Sequence, residues 1–383
     1  MKPRYPVFAY PFRAFFLSLA ALAVLAIPAW VLAVTGQWSL PLALPGLFWH
    51  QHEMLFGVLS AAIAGFLLTA VCVWTQTNRL HGFPLFGLWL VWLAGRLALA
   101  FGGPGFAEWA TAINLAFLPL VMADAGWRVV RAHQWRQLPI LLVLALLWLM
   151  QAGFLLTFDT RYTQGALILA LALIGVIGGR ITPAFSAGWL RQRGLDPAGV
   201  RVHPRLDMAS LVSLLLVLVA TLAHRPVAQA ALALVAAALM LTRLAGWQGW
   251  RVRAEPLLWI LHLSMLWIPV ALVLLAGTAL AGWPASAWSH AAGTGAIGAM
   301  ILGVMARVSL GHTGRPLTLP PGMVTAFVSL HLAALIRVAT AFGALPWTPG
   351  VTTSAVLWCL AFALFLLRYS IVLVSPRVDG REG

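Results

Sequence analysis

The chain holds 383 residues, 62% of them hydrophobic and only 9% charged. A soluble domain carries roughly 25% charged residues, so this inventory excludes a water-facing surface over most of the length and predicts an all-α, polytopic integral membrane bundle. The formal net charge of +15 does not indicate a nucleic-acid partner, because the basic residues sit in short loops between apolar runs, where they act as topology signals.

Twelve apolar runs follow one another between turn signals, approximately 14–34, 52–75, 83–101, 107–127, 138–157, 163–179, 207–223, 228–245, 257–280, 287–309, 321–342 and 350–374. Runs near 20 residues that do not alternate with period two predict transmembrane helices rather than strands. Clusters such as Gly102-Gly103-Pro104-Gly105 and Pro320-Pro321-Gly322 separate them, and Trp30, Trp49, Trp247 and Trp288 gather at run ends, as an interfacial belt would. The first run, from Ala14, has the length of a span rather than of a signal-peptide core.

With the amino terminus in the cytoplasm, 20 of the 24 basic residues fall on the cytoplasmic side, Lys2 and Arg4 among them. Arg161 and Arg225 fall on the opposite side, and Arg96 and Arg337 inside helices. That bias predicts an even number of spans and both termini in the cytoplasm. The longest hydrophilic stretch, 180–206, divides an otherwise single domain, 1–383, into halves 1–180 and 205–383. Cys72 and Cys359 lie inside apolar runs, and no CxxC or CxxCH occurs, so no disulfide scaffold, zinc ribbon or covalently attached haem is expected.

Ionisable residues at membrane depth are costly and usually mark function. The densest group is Trp49-His50-Gln51-His52-Glu53-Met54, at the outer end of the second run. Histidines at i and i+2 on a continuous helix point about 200° apart, so His50 and His52 serve one metal only if the segment is partly unwound, for which Pro45 and Gly46 give an opening; otherwise they face different neighbours. An interfacial, solvated His-x-His is the plain alternative. His290 opens the tenth run at a matching depth, before a small-residue stretch, 293–298, that admits either a neighbouring helix or a flat ligand. Arg96 and Arg337 fall in the outer third of their spans, where they either bind haem propionates in bidentate fashion or snorkel to headgroups.

Toward the inner face lie Glu255, His262, Arg307 and His312, with Asp124 and Arg180 as further members; a structural ion-pair network accounts for this group without a ligand. His331 is the most deeply placed histidine, either a core residue bonded to a carbonyl or a ligand. His81, His133, His203 and His224 read as solvated. Imidazoles without a thiolate cluster favour b-type haem or histidine-bound copper over zinc-thiolate or iron–sulfur chemistry.

The strings PFRAFF at 11–16, WHQHEMLFG at 49–57, AGFLLTAV at 64–71, GRLA at 95–98, GGRITPAF at 178–185, PLLWILHL at 256–263 and GAIGAMILGVMARVSLGHTGRPL at 295–317 resemble the NnrS family over nearly the whole chain. Those are haem- and copper-containing bacterial membrane proteins tied to the response to nitric oxide. The resemblance implies haem b and copper as cofactors, nitric oxide as ligand, and a place in the bacterial inner membrane. His50, His52, His262, His290 and His312 match the family's histidines and Glu53 its glutamate; His331 is carried by its depth alone. The outer group with Arg96 and Arg337 is taken as the main metal site, since a hydrocarbon core of about 30 Å separates it from His262 and His312 unless there are two sites or a misplaced span.

The leading expectation is a haem-and-copper oxidoreductase that reduces nitric oxide to nitrous oxide, with Glu53 delivering protons and a quinol or small redox protein as electron donor. Its competitors are a non-catalytic haem protein that binds or senses nitric oxide, and a transporter of a metal or small solute.

Overall fold

The computed structural model describes residues 6–381; Lys2 and Arg4, two of the topology-setting cations, lie outside them. Among the described residues there are helices and no strands. Twelve helices have the length and composition to cross a membrane: α1 Pro11–Val34, α2 Gly46–Thr75, α3 Gly82–Phe101, α4 Pro104–Arg131, α5 Trp135–Thr157, α6 Thr160–Gln192, α7 Pro204–Leu222, α8 Pro226–Trp247, α9 Pro256–Leu280, α10 Ala285–His312, α11 Met323–Ala341 and α12 Trp347–Val374. Each expected run is one of these, and the chain is a polytopic membrane protein.

Local chemistry sets the helix ends. Pro11, Pro204, Pro226 and Pro256 occupy first turns, where a missing N–H is harmless and the fixed φ already suits a helix. α2 and α10 start just after a proline, Pro45 and Pro284. Two boundaries differ from expectation by more than four residues. α6 continues through Pro183 to Gln192, because Gly and Pro are tolerated inside membrane helices that neighbours support; half of the 180–206 stretch is therefore helix. α2 begins at Gly46 and is helical throughout, with a π-helical stretch at Glu53–Val58, so the histidine string is not unwound. A second π stretch, Ala291–Gly298, interrupts α10 directly after His290.

The chain forms two compact units that do not coincide with the halves 1–180 and 205–383. Unit 1 comprises Met1–Thr163, Met305–Pro320 and Trp358–Gly383; unit 2 comprises Gln164–Val304 and Pro321–Leu357. In unit 1, α1 packs on α2, α2 and α3 on α4, and α4 on α5. The second half of α12 is tied to α1 by the Trp358 indole, which donates to Ala23 O at 3.0 Å.

In unit 2, α7 packs on α8, α8 on α9, and α9 and α11 on the π stretch of α10. Its main buried cation is Arg243, whose Nε donates to Asp207 Oδ1 at 2.7 Å and whose Nη2 donates to Gly175 O at 3.1 Å. Gly179, one turn beyond Gly175, leaves the space: a Cβ there would fall 2.2 Å from Nη2. Displacing a buried guanidinium from its carboxylate leaves a charge uncompensated in apolar surroundings. Gly179→Val is expected to lower the melting midpoint of the detergent-solubilised protein, overpacking of this kind costing roughly 1–3 kcal/mol, whereas Gly188→Val, with nothing within 4 Å of its Cβ position, leaves the midpoint within a degree or two.

Candidate functional site

In unit 1, α2, α3, α4 and α5 bring together a fully interior polar network. Glu53 opens the π stretch of α2, the extra residue per turn of which re-aims side chains relative to an α-helix, a feature that recurs at functional sites. Its Oε2 lies 2.8 Å from Arg96 Nε, and its Oε1 accepts from His52 Nδ1 at 3.1 Å. His52 Nε2 accepts from the Gln151 amide at 3.1 Å. Arg96 Nη2 donates to Asn114 Oδ1, and the Asn114 amide donates to Ala110 O at 2.7 Å and Gly95 O at 3.2 Å. All five side chains are buried, His52 and Glu53 at 0% and 1% exposure. Gly57 makes room for the carboxylate, since a Cβ on it would lie 2.9 Å from Glu53 Oε2, and Trp92 donates to its carbonyl at 3.0 Å.

Such a network is affordable in an apolar interior only when charge is balanced and donors meet acceptors. Arg96 and Glu53 balance one another. Arg96 is thus buried against a carboxylate of the chain rather than extended to a headgroup. The hydrogen bond from Nδ1 to the carboxylate places the His52 lone pair on Nε2, against Gln151. Gln151 Oε1 is buried and meets no donor among the described residues. Asn114, Gln151 and Trp92 were not singled out from the sequence; the signal was there, in a single amide interrupting each of the runs 107–127 and 138–157.

His50 does not join this group. On a continuous helix it points away from His52 and stacks on Trp30, ring centroids 4.2 Å apart at 22°. His312 lies elsewhere in unit 1, its ring 5.6 Å from that of Phe12 and 6.5 Å from that of Tyr10. Asp124, half-buried, takes a forked bond from Arg128, with Nε at 2.8 Å and Nη2 at 2.9 Å. His81, His133, His203 and His224 are exposed as expected.

Unit 2 holds three further histidines, and their bonding separates them. His290 Nδ1 lies 2.7 Å from Ser286 O. A carbonyl can only accept, so the proton is on Nδ1 and the lone pair on Nε2, the tautomer of an imidazole that ligates metal through Nε2. His331 shows the reverse: Trp267 Nε1 donates to its Nδ1 at 3.1 Å, which keeps the proton on Nε2, an atom buried without an acceptor among the described residues. His262 Nε2 lies 2.9 Å from Ser186 Oγ, which itself donates to Thr182 O at 2.8 Å; with that hydroxyl proton engaged, His262 is the donor. Arg337, four residues from the end of α11, is buried and meets no carboxylate among the described residues. The start of α10, with His290, packs against α11.

Among the described residues, neither unit gathers three His, Cys, Asp or Glu side chains around a point where a metal ion would sit. The donor set of either unit thus does not fit a three-imidazole copper centre. One neutral imidazole with its lone pair on Nε2, as at His290, is what a haem iron would need from the chain.

No curated protein matches the chain. The profile described as NnrS protein matches residues 6–377, nearly all of it. Twelve membrane-crossing helices, a buried His52–Glu53–Arg96 network within the WHQHEM string and that full-length match agree: the chain belongs to the NnrS family of membrane proteins linked to the nitric oxide response and associated with haem and copper.

Proposed function

We propose that this protein binds haem b and reduces nitric oxide in the bacterial cytoplasmic membrane, with both termini in the cytoplasm, by the balance 2 NO + 2 e⁻ + 2 H⁺ → N₂O + H₂O. The observation that carries an enzyme rather than a passive binder is the buried carboxylate–imidazole pair, His52 Nδ1 on Glu53 Oε1 at 3.1 Å, at 0% and 1% exposure.

His290 is the residue that would hold the haem iron, through Nε2, because Ser286 O fixes its tautomer. Arg337 serves a propionate, since a buried guanidinium without an acid of its own suits a carboxylate. Gly293, with nothing within 4 Å of its Cβ position, leaves room beside His290 for a flat ring. Haem, when bound, would supply redox-active iron. Glu53 and His52 hold and move protons in unit 1, while Arg96 and Gln151 keep carboxylate and imidazole in register. No residue is assigned to copper, and His331 is not assigned to metal, given the proton on its Nε2. The apolar bundle admits an uncharged gas that partitions into lipid.

A second reading, haem-based binding of nitric oxide without turnover, is favoured by one observation: among the described residues neither unit gathers ligands for a second metal beside the haem. Consumption of nitric oxide by the reduced protein, followed with a gas electrode, separates the two readings.

Two outcomes test the assignments. His290→Ala is expected to abolish the b-type spectrum and Arg337→Met to weaken haem retention about tenfold, while His331→Ala keeps full haem content by pyridine haemochrome; full haem in His290→Ala would remove the axial assignment. Glu53→Gln leaves Arg96 buried without its counter-charge, a loss of about 3–5 kcal/mol, so the double variant Glu53→Gln/Arg96→Met is the cleaner probe. It is expected to regain the melting midpoint and haem content of the wild type while nitric oxide consumption stays at least about a hundredfold down. Recovery of turnover along with stability would reduce the pair to a structural element.

A further inference from the structure

Three distant segments of unit 1 meet where α1 begins: Tyr10–Arg13, the turn at Leu310–Arg315, and the end of α12 with the residues that follow it. Arg377 Nη1 donates to His312 O at 2.8 Å, and Val378 N donates to Thr313 O at 3.2 Å. The rings of Tyr10 and Phe12 lie against His312.

Arg13 is at the centre, with 0% exposure. It stands in the first turn of α1, the end of a helix that disfavours a cation. Its Nη1 donates to Leu373 O and Ser375 O, both at 2.7 Å, and so closes the carbonyl end of α12, which favours one. That role accounts for one corner of the guanidinium. Nε and Nη2 are buried and meet no acceptor among the described residues, and the same holds for Arg315 Nη1.

The unmatched edge is informative because other arginines of this protein use it on a carboxylate, two of them on both oxygens. Arg128 grips Asp124 through Nε and Nη2 at 2.8 and 2.9 Å, and Arg377 grips Asp379 through Nε and Nη2 at 2.9 and 2.5 Å. In both, the side-on fork holds two oxygens of one anion. Asp379 is committed to Arg377, whose fork holds that carboxyl down at about 2. The charged side chains that act on Arg13 are Arg315 and Arg377, both of its own sign. Interior guanidinium donors facing further cations, with no carboxylate among the described residues to answer them, define a seat for an oxyanion.

We propose that Arg13 and Arg315 form a binding site for a tetrahedral phosphate-class oxyanion, with the Nε–Nη2 edge of Arg13 and Nη1 of Arg315 as donors. The phosphate belongs either to an anionic lipid headgroup at this face of the membrane or to a free ion. Besides its charge, the bound anion joins the start of α1 to the 310–315 turn, two segments about 300 positions apart in the sequence.

The test uses the full-length protein, delipidated in dodecyl maltoside, a phosphate-free detergent, with its melting midpoint as readout. Phosphatidylglycerol is titrated against diacylglycerol of the same acyl chains, and inorganic phosphate against chloride at matched ionic strength. Stabilisation by phosphatidylglycerol alone identifies the lipid; stabilisation by inorganic phosphate identifies the free ion. No response to either overturns the site. Arg13→Lys also removes the clasp on α12 and is uninformative if it misfolds, so Arg315→Gln, which leaves that clasp intact, decides: affinity falls about tenfold if the site is real, and unchanged affinity overturns it. Neither result depends on haem or on nitric oxide turnover.

Discussion

Counter-charge is the scarce quantity in this molecule. The chain has 24 basic residues and 9 acidic ones, and burying a cation in hydrocarbon is tolerable only when something answers it. Where an acid is at hand the arrangement is local and closed: Glu53 for Arg96, Asp124 for Arg128, Asp207 for Arg243. Where none is, a helix carbonyl end takes part of the charge, as α12 does for Arg13. About half of the other described arginines lie in segments outside the membrane-crossing helices, and the same shortage of acids accounts for the few interior sites that stand out.

A second constraint is tautomeric. A neutral imidazole has one donor and one acceptor nitrogen, and the partner of one nitrogen decides what the other can do. His290 and His331 are both membrane-embedded histidines of unit 2, yet Ser286 O leaves a lone pair on Nε2 of the first while the Trp267 indole leaves a proton on Nε2 of the second. Chemistry assigned by depth alone would have treated them alike. The surroundings of the histidines, more than their number, determine which is suited to iron.

The two π stretches share a local plan. Each follows a short helix that starts beyond a proline, contains a tryptophan and ends in a histidine: Pro45, Trp49, His52 before Glu53–Val58, and Pro284, Trp288, His290 before Ala291–Gly298. A π turn costs regular hydrogen bonding and is kept where it places a side chain that an α-helix could not. In α2 that side chain is Glu53, set over Gly57 and against Arg96. In α10 the small residues put backbone rather than side chain next to α9 and α11.

The number of spans and their order were fixed by composition and local pattern, because a helix that must satisfy its own backbone in lipid needs about 20 apolar residues in a row and shows itself by that run. Isolated polar residues such as Glu53, Arg96 and His52 were legible as misfits in those runs for the same reason. Which misfits meet was decided by tertiary structure alone. Depth suggested that Arg96 awaits a ligand, but helix packing handed it Glu53; spacing left open whether His50 and His52 converge, but an unbroken helix turned one to Trp30 and the other to Gln151. Arg13, one letter of the PFRAFF string in the sequence, became the buried centre of three segments. Hydropathy is a property of consecutive residues, whereas a counter-charge or a tautomer-setting partner comes from another helix, and no local pattern encodes which one.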